Sequence, residues 1–475
     1  MTILRLRDEV GLAIHYTDDT PYGSAVSGLI ERLIARTCAP LGELLRREGP
    51  AAIAARSAEL VGRVLAPQAL GRLFAAPDRL RPEALYPDAA AVRPAALRLH
   101  GLGPAGRHGA TIALPAALAR ELAAWTGAWS RGATRPRDPA AAALWDALVG
   151  HGALTAEPAA ARALGEGVRF IGHATALVAV EGVRALFDPF VVPRGPLDGA
   201  DARPFTCAEL RPDAVFITHS HPDHYDLGAL LRFGADVPIY VPEVPRESLL
   251  AVDMRARLVE LGFRRVQALA WRAAAELGPL SVRALPFHGE QPTDAEVLHP
   301  EARNAGNIYV VDGPCGRIAL LADAGRDGAG DTRTIAADER ARGGAVDVVF
   351  GGYRAWNLRP AQYLFTSVAR YLLLVPRSQW GAAQQIMNDA GDLLDTAAAF
   401  GARTVVPYAN GGAPWYARIG LGPREQADSS DPNFDPPPQT VAALRDLRGT
   451  PELRVVPLAP GARLEPADAG ARRSA

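Results

Sequence analysis

A chain of 475 residues, 48% hydrophobic and 22% charged, is long enough for two or three domains and buries a core without covalent staples. Its formal net charge of -1 offers no field that would draw nucleic acid or an anionic membrane, so neither is an expected partner. All 51 residues of the lysine-plus-arginine count are arginine, which excludes Schiff-base and general-base lysine chemistry. The only cysteines, Cys38, Cys207 and Cys315, form no CxxC pair, so a disulfide framework or a thiolate metal site is not expected and a reducing compartment suits the chain. The opening MTILRLRDEV has no apolar core of signal-peptide length, and no apolar run reaches spanning length; the expectation is a soluble, cytoplasmic protein.

Residues 1 to about 160 read as mainly helical, with apolar residues at three- and four-residue spacing in Ala25–Cys38, Ala52–Leu65, Ile112–Trp129 and Ala140–Gly150. The Gly/Pro/Arg stretch Arg131–Pro139 connects the last two, and the Ala-rich Pro158–Gly165 leads into a different kind of sequence. From Val168 onward, FIGHATALVAV and VRALFDPF are short apolar runs punctuated by Gly and Asp-Pro, the pattern of paired strands. DAVFIT (213–218) is a further strand, followed by a helix over 227–233, a strand over 237–241 and a helix over 246–262. SVRALPF, NIYVVDG, RIALLAD and VDVVF are strands, a long helix runs from about Ser378 to Phe400, and TVVPY is the last strand. Mixed strands and helices of these lengths predict an α/β layered domain over 165–465, behind an N-terminal domain over 1–160. The Pro/Asp-rich Asp428–Pro438 reads as a loop, and the tail from about Gly470 as disordered.

The passage that carries chemistry is His219-Ser220-His221-Pro222-Asp223-His224, directly after the DAVFIT strand. Neutral imidazole is a leading ligand for divalent transition metals, and Asp adds negative charge. In an extended segment residues two apart project to one side, so His219 and His221 can hold one ion together. The turn at Pro222 then lets Asp223 and His224 address a second. A His-rich solvated loop is the bland alternative; three of ten histidines gathered with an aspartate behind a buried strand argue against it.

The run resembles the HxHxDH signature of the metallo-β-lactamase superfamily at every position, and the resemblance extends over about 168–420. It implies an αββα sandwich with two metals at one edge. GHAT, with His173, and FDP, with Asp188, resemble the opening strands, where these residues would support the site; LLADAG places Asp323 where the family has its bridging aspartate. Two departures matter. No histidine occurs after His299, and where hydrolases of this superfamily place a last metal-binding histidine the chain reads TVVPYANGG, with Tyr408 and Asn410. In LPFHGE either His288 or Glu290 could complete the first position.

With Glu290, the set becomes His219, His221, Asp223, His224, Glu290 and Asp323, an oxygen-rich ligation that suits iron and dioxygen better than hydrolytic zinc. That pattern resembles the diiron-oxygenase branch of the superfamily, typified by aminoacyl β-hydroxylation on a peptidyl carrier protein in the chloramphenicol pathway. The resemblance implies two iron ions, dioxygen, an external electron donor, and an N-terminal domain for homodimerisation or partner docking. With His288 instead, two zinc ions and hydrolysis of a phosphodiester, lactone or amide follow, with water or Tyr408 filling the second position.

Other signals carry less. GLGPAG (101–106) satisfies GxGxxG but contains Pro104, follows no convincing strand and opens no helix. His15, His100, His108 and His151 read as surface or satisfied core histidines. Tyr353, Trp356, Tyr363 and Phe365 read as packing aromatics, and Trp380, Ile386, Met387 and Leu394 as one face of the long helix.

Overall fold

The computed structural model describes residues 2–16, 47, 95–102, 108–159, 162–191, 205–247, 251–291, 304–354, 385, 387–409 and 437–465. The chain starts with β1 (Arg5–Leu6) and β2 (Gly11–Tyr16); β2 joins β3 (Ala95–Leu102) and β4 (His108–Leu114) in a three-stranded antiparallel sheet. Helices α1 (Leu122–Arg131) and α2 (Pro139–Gly150) follow, then β5 (Leu154–Thr155), which pairs with β1.

The expected helices around Trp129 and after Ala140 are present, but the three-stranded sheet was not legible from helical periodicity. Ile112 lies within β4, which ends at Leu114, instead of opening a helix, because Pro115 sits at φ −56°, ψ 148° and the helical repeat begins only after it. Gly101 and Leu102 of GLGPAG end a strand, β3, where none was expected before the motif, and the chain is again in a strand, β4, from His108. Ala25–Cys38, Ala52–Leu65, Trp356, Tyr363, Phe365, Trp380, Ile386, His299 and Asn410 lie outside the described residues.

The first large sheet contains β6 (Gly167–Gly172), β7 (Thr175–Val180), β8 (Val183–Phe187), β9 (Ala214–Phe216), β10 (Ile239–Pro242) and β11 (Val266–Leu269), in the order β11-β10-β9-β8-β7-β6. It is parallel from β8 to β11 and antiparallel at the β6–β8 meander. The parallel crossovers carry α3 (Leu227–Phe233), capped by Asp226, and α4 (Met254–Glu260), capped by Asp253; the latter is shorter than the helix expected over 246–262 because the cap sits at Asp253.

The second sheet begins with β12 (Ala274–Leu277), β13 (Leu280–Pro286), β14 (Asn307–Gly313) and β15 (Gly316–Leu320). A small ribbon, β16 (Arg326–Asp327) and β17 (Gly330–Asp331), and α5 (Thr332–Gly343) precede β18 (Val348–Gly352). Then come α6 (Ala390–Phe400), β19 (Thr404–Tyr408), α7 (Gln439–Arg448) and β20 (Arg454–Val455), giving the order β12-β13-β14-β15-β18-β19-β20. Helix α6 starts only at Ala390, since Asp389 and Asp392 form a capping box; Met387 therefore precedes the helix expected from Ser378.

Three apolar clusters define the layers. Phe170, Phe187, Phe216, Val282, Tyr309, Phe350 and Val406 interdigitate between the two sheets. Leu285, Val349, Ile335, Leu393 and Phe400 seal the outer face of the second sheet under α5 and α6. Val215, Ile217, Leu230 and Leu258 do the same for the first sheet, and Leu97, Leu99, Trp129 and Trp145 of the N-terminal part join that same cluster. Burying each such side chain contributes roughly 1.5–3 kcal/mol, which is why β7, with all six residues buried, reads as a continuous apolar run instead of alternating. The result is an αββα sandwich whose helical layer is thickened by the N-terminal sheet and helices. No helix among the described residues is long and apolar enough to cross a membrane.

Candidate metal centre

Five chain segments deliver polar side chains to one edge of the sandwich: the β6–β7 turn (His173), the end of β8 (Asp188), the end of β9 (Thr218 to His224), the end of β13 (Glu290) and the end of β15 (Asp323). The backbone is bent to do so. Of the eight non-glycine residues with positive φ in the described chain, His173, Asp188, Glu290, Ala322 and Ala409 lie at this edge. Such conformations cost on the order of 1 kcal/mol or more each and persist where the surroundings over-determine them, as at functional sites.

His219 Nε2 and His221 Nδ1 are 3.0 Å apart, and both face Glu290 Oε2, which is 3.3 Å from His219 Nε2 and in close contact with His221 Nδ1. Alongside, His224 Nε2 lies 3.4 Å from Asp323 Oδ2 and 4.0 Å from Asp223 Oδ2, while His173 Nε2 is 3.0 Å from Asp223 Oδ2. Among the described residues three groups of three donors, each within 4.8 Å of one another inside its group, could hold metal ions: His219 with His221 and Glu290; His219 with His224 and Asp323; and His173 with Asp223 and His224.

His288 lies outside these groups. Its Nδ1 faces Asp327 Oδ1 at 3.4 Å and its ring lies 5.9 Å from that of Trp271. The left-handed backbone of Gly289 (φ 98°) and Glu290 (φ 52°) breaks the strand alternation that would have pointed both side chains the same way. Tyr408 is fully buried, and its hydroxyl oxygen accepts from the Ala322 amide, so it props the turn that carries Asp323.

The imidazole tautomers follow from one buried carboxylate. Asp188 accepts from the Thr218 amide (2.7 Å), the Thr218 hydroxyl (2.6 Å) and His224 Nδ1 (2.8 Å). Since a carboxylate only accepts, His224 Nδ1 keeps a proton in either charge state, and Nε2 is the nitrogen whose lone pair a metal would take. Thr218 spends its hydroxyl proton on Asp188, so at 3.0 Å its oxygen takes Nδ1–H of His219 and leaves His219 Nε2 likewise free to ligate. Thr218 was not singled out in the sequence; its position immediately before the first histidine was the only available signal.

The donor set fits a cation. His224 Nε2 and Asp323 Oδ1 are buried without a hydrogen-bond partner. Donor separations of 3.0 and 3.3 Å match what two ligands about 2.1 Å from a shared ion subtend. Buried carboxylates without a compensating cation are costly, whereas a divalent ion between them removes that cost.

The field of these carboxylates acts on the imidazoles. Burial disfavours the charged form of His221, but the Glu290 carboxylate outweighs it and raises the pKa; burial is likewise outweighed at His224 by Asp323, Asp188 and Asp223, which lift it well above its ordinary value. Burial and the neighbouring His224 and His221 lower that of His219. In the metal-free protein the raised pair contributes stability that is complete below the ordinary value of 6.5 and is lost as pH climbs through the raised values. A metal must displace those protons. The increase in Tm produced by a divalent cation is therefore expected to grow as pH is raised above 6.5, and an increment independent of pH would contradict the proton displacement.

Residues 183–408 match the family model of the beta-lactamase superfamily domain. Over 98% of this chain and 100% of the other, the structure is similar to CmlA, a diiron beta-hydroxylase from Streptomyces venezuelae, with 18% identity and a TM-score of 0.64. This chain has the metallo-β-lactamase fold. A single-residue variant of the CmlA beta-hydroxylase matches comparably, with 19% identity, 97% and 100% coverage and a TM-score of 0.63. Igni18, a metallo hydrolase from the archaeon Ignicoccus hospitalis, is 14% identical, covers 62% of this chain and 96% of its own, and has a TM-score of 0.39. In this metallo-β-lactamase fold the metal-capable side chains all stand on loops following strands of the two facing sheets, on a rigid frame with free loop ends.

Proposed function

We propose that the chain is a dinuclear non-haem iron monooxygenase that hydroxylates a C–H bond of an amino-acid-derived substrate, free or tethered to a peptidyl carrier protein. The observation that carries this reading is Glu290: a carboxylate, not His288, stands against His219 and His221. In this reading His219, His221 and Glu290 hold one iron, and Asp223, His224 and Asp323 the other. Three imidazoles and three carboxylates form a hard, oxygen-rich set suited to iron. The likeness to a diiron beta-hydroxylase along almost the whole of both chains, N-terminal part included, supports the same reading.

Bound iron would supply dioxygen chemistry: one oxygen atom enters the C–H bond, and the other leaves as water with two electrons from an external donor and two protons. The protein's own part is electrostatic and positional. Glu290, Asp223 and Asp323 offset the metal charge, Asp188 orients His224 directly and His219 through Thr218, and Phe287, stacked on His219 with ring centroids 5.1 Å apart, keeps water from that side. Protein produced with ample iron is expected to carry two iron ions per chain and to consume dioxygen when given reductant. Two zinc ions, no iron and no oxygen uptake would end this reading.

One observation favours a second one. His173 reaches Asp223 and His224, returning an imidazole to the second position. A dizinc hydrolase of a phosphodiester, lactone or amide would use it, and His173→Ala then removes hydrolysis; in the oxygenase reading that variant keeps both irons.

A further inference from the structure

We infer that Asp327, outside the donor set, is the positioning residue that makes Glu290 a ligand and ties the two metal positions to one another. This rests on the reading that Glu290 holds the first metal. The problem it solves is conformational: Gly289 and Glu290 are consecutive left-handed residues, at φ 98° and 52°, separated by two residues from the end of β13 at Pro286. A glutamate does not hold that backbone unaided, so something must fix the turn.

The Asp327 side chain, with 0% exposure, sits where it can do so. Its Oδ2 accepts from the Gly289 amide at 3.0 Å, the peptide that joins the turn to Glu290's own neighbour. Its Oδ1 accepts from the Ala329 amide at 2.7 Å and faces His288 Nδ1 at 3.4 Å. One carboxylate thereby anchors the ribbon of β16 and β17, grips the turn, and holds the competing imidazole away from the metals. On the other side His288 is confined by Gly330, where even a Cβ would lie 2.5 Å from Nε2. The Gly325 amide donates to the His288 carbonyl at 2.7 Å, a second tie between the same two segments.

The connection matters because of what else that segment carries. Asp323 stands beside His224 four residues before Asp327, in one short stretch leaving β15. A single segment therefore presents a donor to the second metal with Asp323 and sets the donor of the first through Asp327, so the separation of the two metals is fixed within one piece of backbone.

The test is metal stoichiometry by Co2+ titration of the metal-free full-length protein, read by calorimetry and by the visible spectrum. Asp327→Ala is expected to keep one tight equivalent and to weaken the other about 10–100-fold, with an altered cobalt spectrum, as loss of an outer hydrogen-bond partner does. Asp327→Asn, which keeps one acceptor oxygen for the Gly289 amide but turns its NH2 group toward the Ala329 amide, is expected to weaken the same equivalent less than Asp327→Ala does. If Asp327→Ala does not fold, as far-ultraviolet circular dichroism would show, Gly289→Ala disturbs the same turn, since its φ strains any side chain, and should give the same selective weakening. Unchanged affinity for both equivalents, or equal weakening of both, overturns the inference. Glu290→Ala is measured in parallel: if it keeps both equivalents, the assignment of Glu290 fails, whereas its loss of one while Asp327→Ala keeps two sinks only the role given to Asp327.

Discussion

Glu290→Ala is expected to lose one of two metal equivalents, while His288→Ala keeps both. The two residues are separated by one glycine, yet their surroundings differ in kind. Glu290 is 3% exposed and shares its carboxylate oxygen with both His219 and His221. Despite burial, which opposes ionisation, the charges and hydrogen bonds of His221 and His219 hold its carboxyl far below the ordinary range, so it stands ready as an anion. Without it, two imidazoles remain at the first position, and the affinity there should fall by more than about 100-fold, the upper end of what outer-sphere changes cost. Among the described residues His288 faces Asp327, Trp271 and Gly330 instead of the metal-capable group, so its removal should leave metal content intact and cost stability of about 1–2 kcal/mol from lost packing. Metal analysis of the two purified variants decides it. Retention of both metals by Glu290→Ala with loss from His288→Ala would reverse the assignment and with it the case for dioxygen chemistry.

The largest loss of stability is expected from Asp188→Ala. This carboxylate is buried, adopts a left-handed backbone at φ 43°, and receives three hydrogen bonds. Alanine would leave the Thr218 amide, the Thr218 hydroxyl and His224 Nδ1 without their acceptor in a dry interior, at a cost of about 3–5 kcal/mol. The effect on metal should be larger than that of losing one ligand. Without Asp188, nothing obliges His224 to carry its proton on Nδ1 or Thr218 to accept from His219, so imidazoles at both positions lose their preset tautomers. Asp188→Asn keeps an acceptor for the Thr218 amide but must turn its NH2 group toward two atoms that need an acceptor, and should fall between. Thermal melts and metal content measured on the same samples check this; Asp188→Ala with parental Tm and two metals would show that the network is dispensable.

Much of the candidate site was readable in the sequence because the metal-capable side chains of one strand end are local. His219, His221, Asp223 and His224 are held within six residues, and alternation along an extended segment accounts for the pairing of the first two. The strands over 307–313 and 404–408 and the helix over 227–233 were equally local, set by apolar run length and by caps such as Asp226. The N-terminal sheet was not, because β2 and β3 pair across 78 intervening residues (17–94), and the leucines of β3 fit a helical period as well as a strand.

The different surroundings of His288 and Glu290 belong to the tertiary structure alone. Composition made both plausible ligands, and strand alternation would have pointed both inward. What separates them is a pair of left-handed residues held by a carboxylate 38 positions along the chain, on a ribbon that periodicity does not reveal. Local sequence determines which groups can bind a metal; which of them do so depends on backbone turns whose strain is borne by contacts made only after the two sheets have closed on each other.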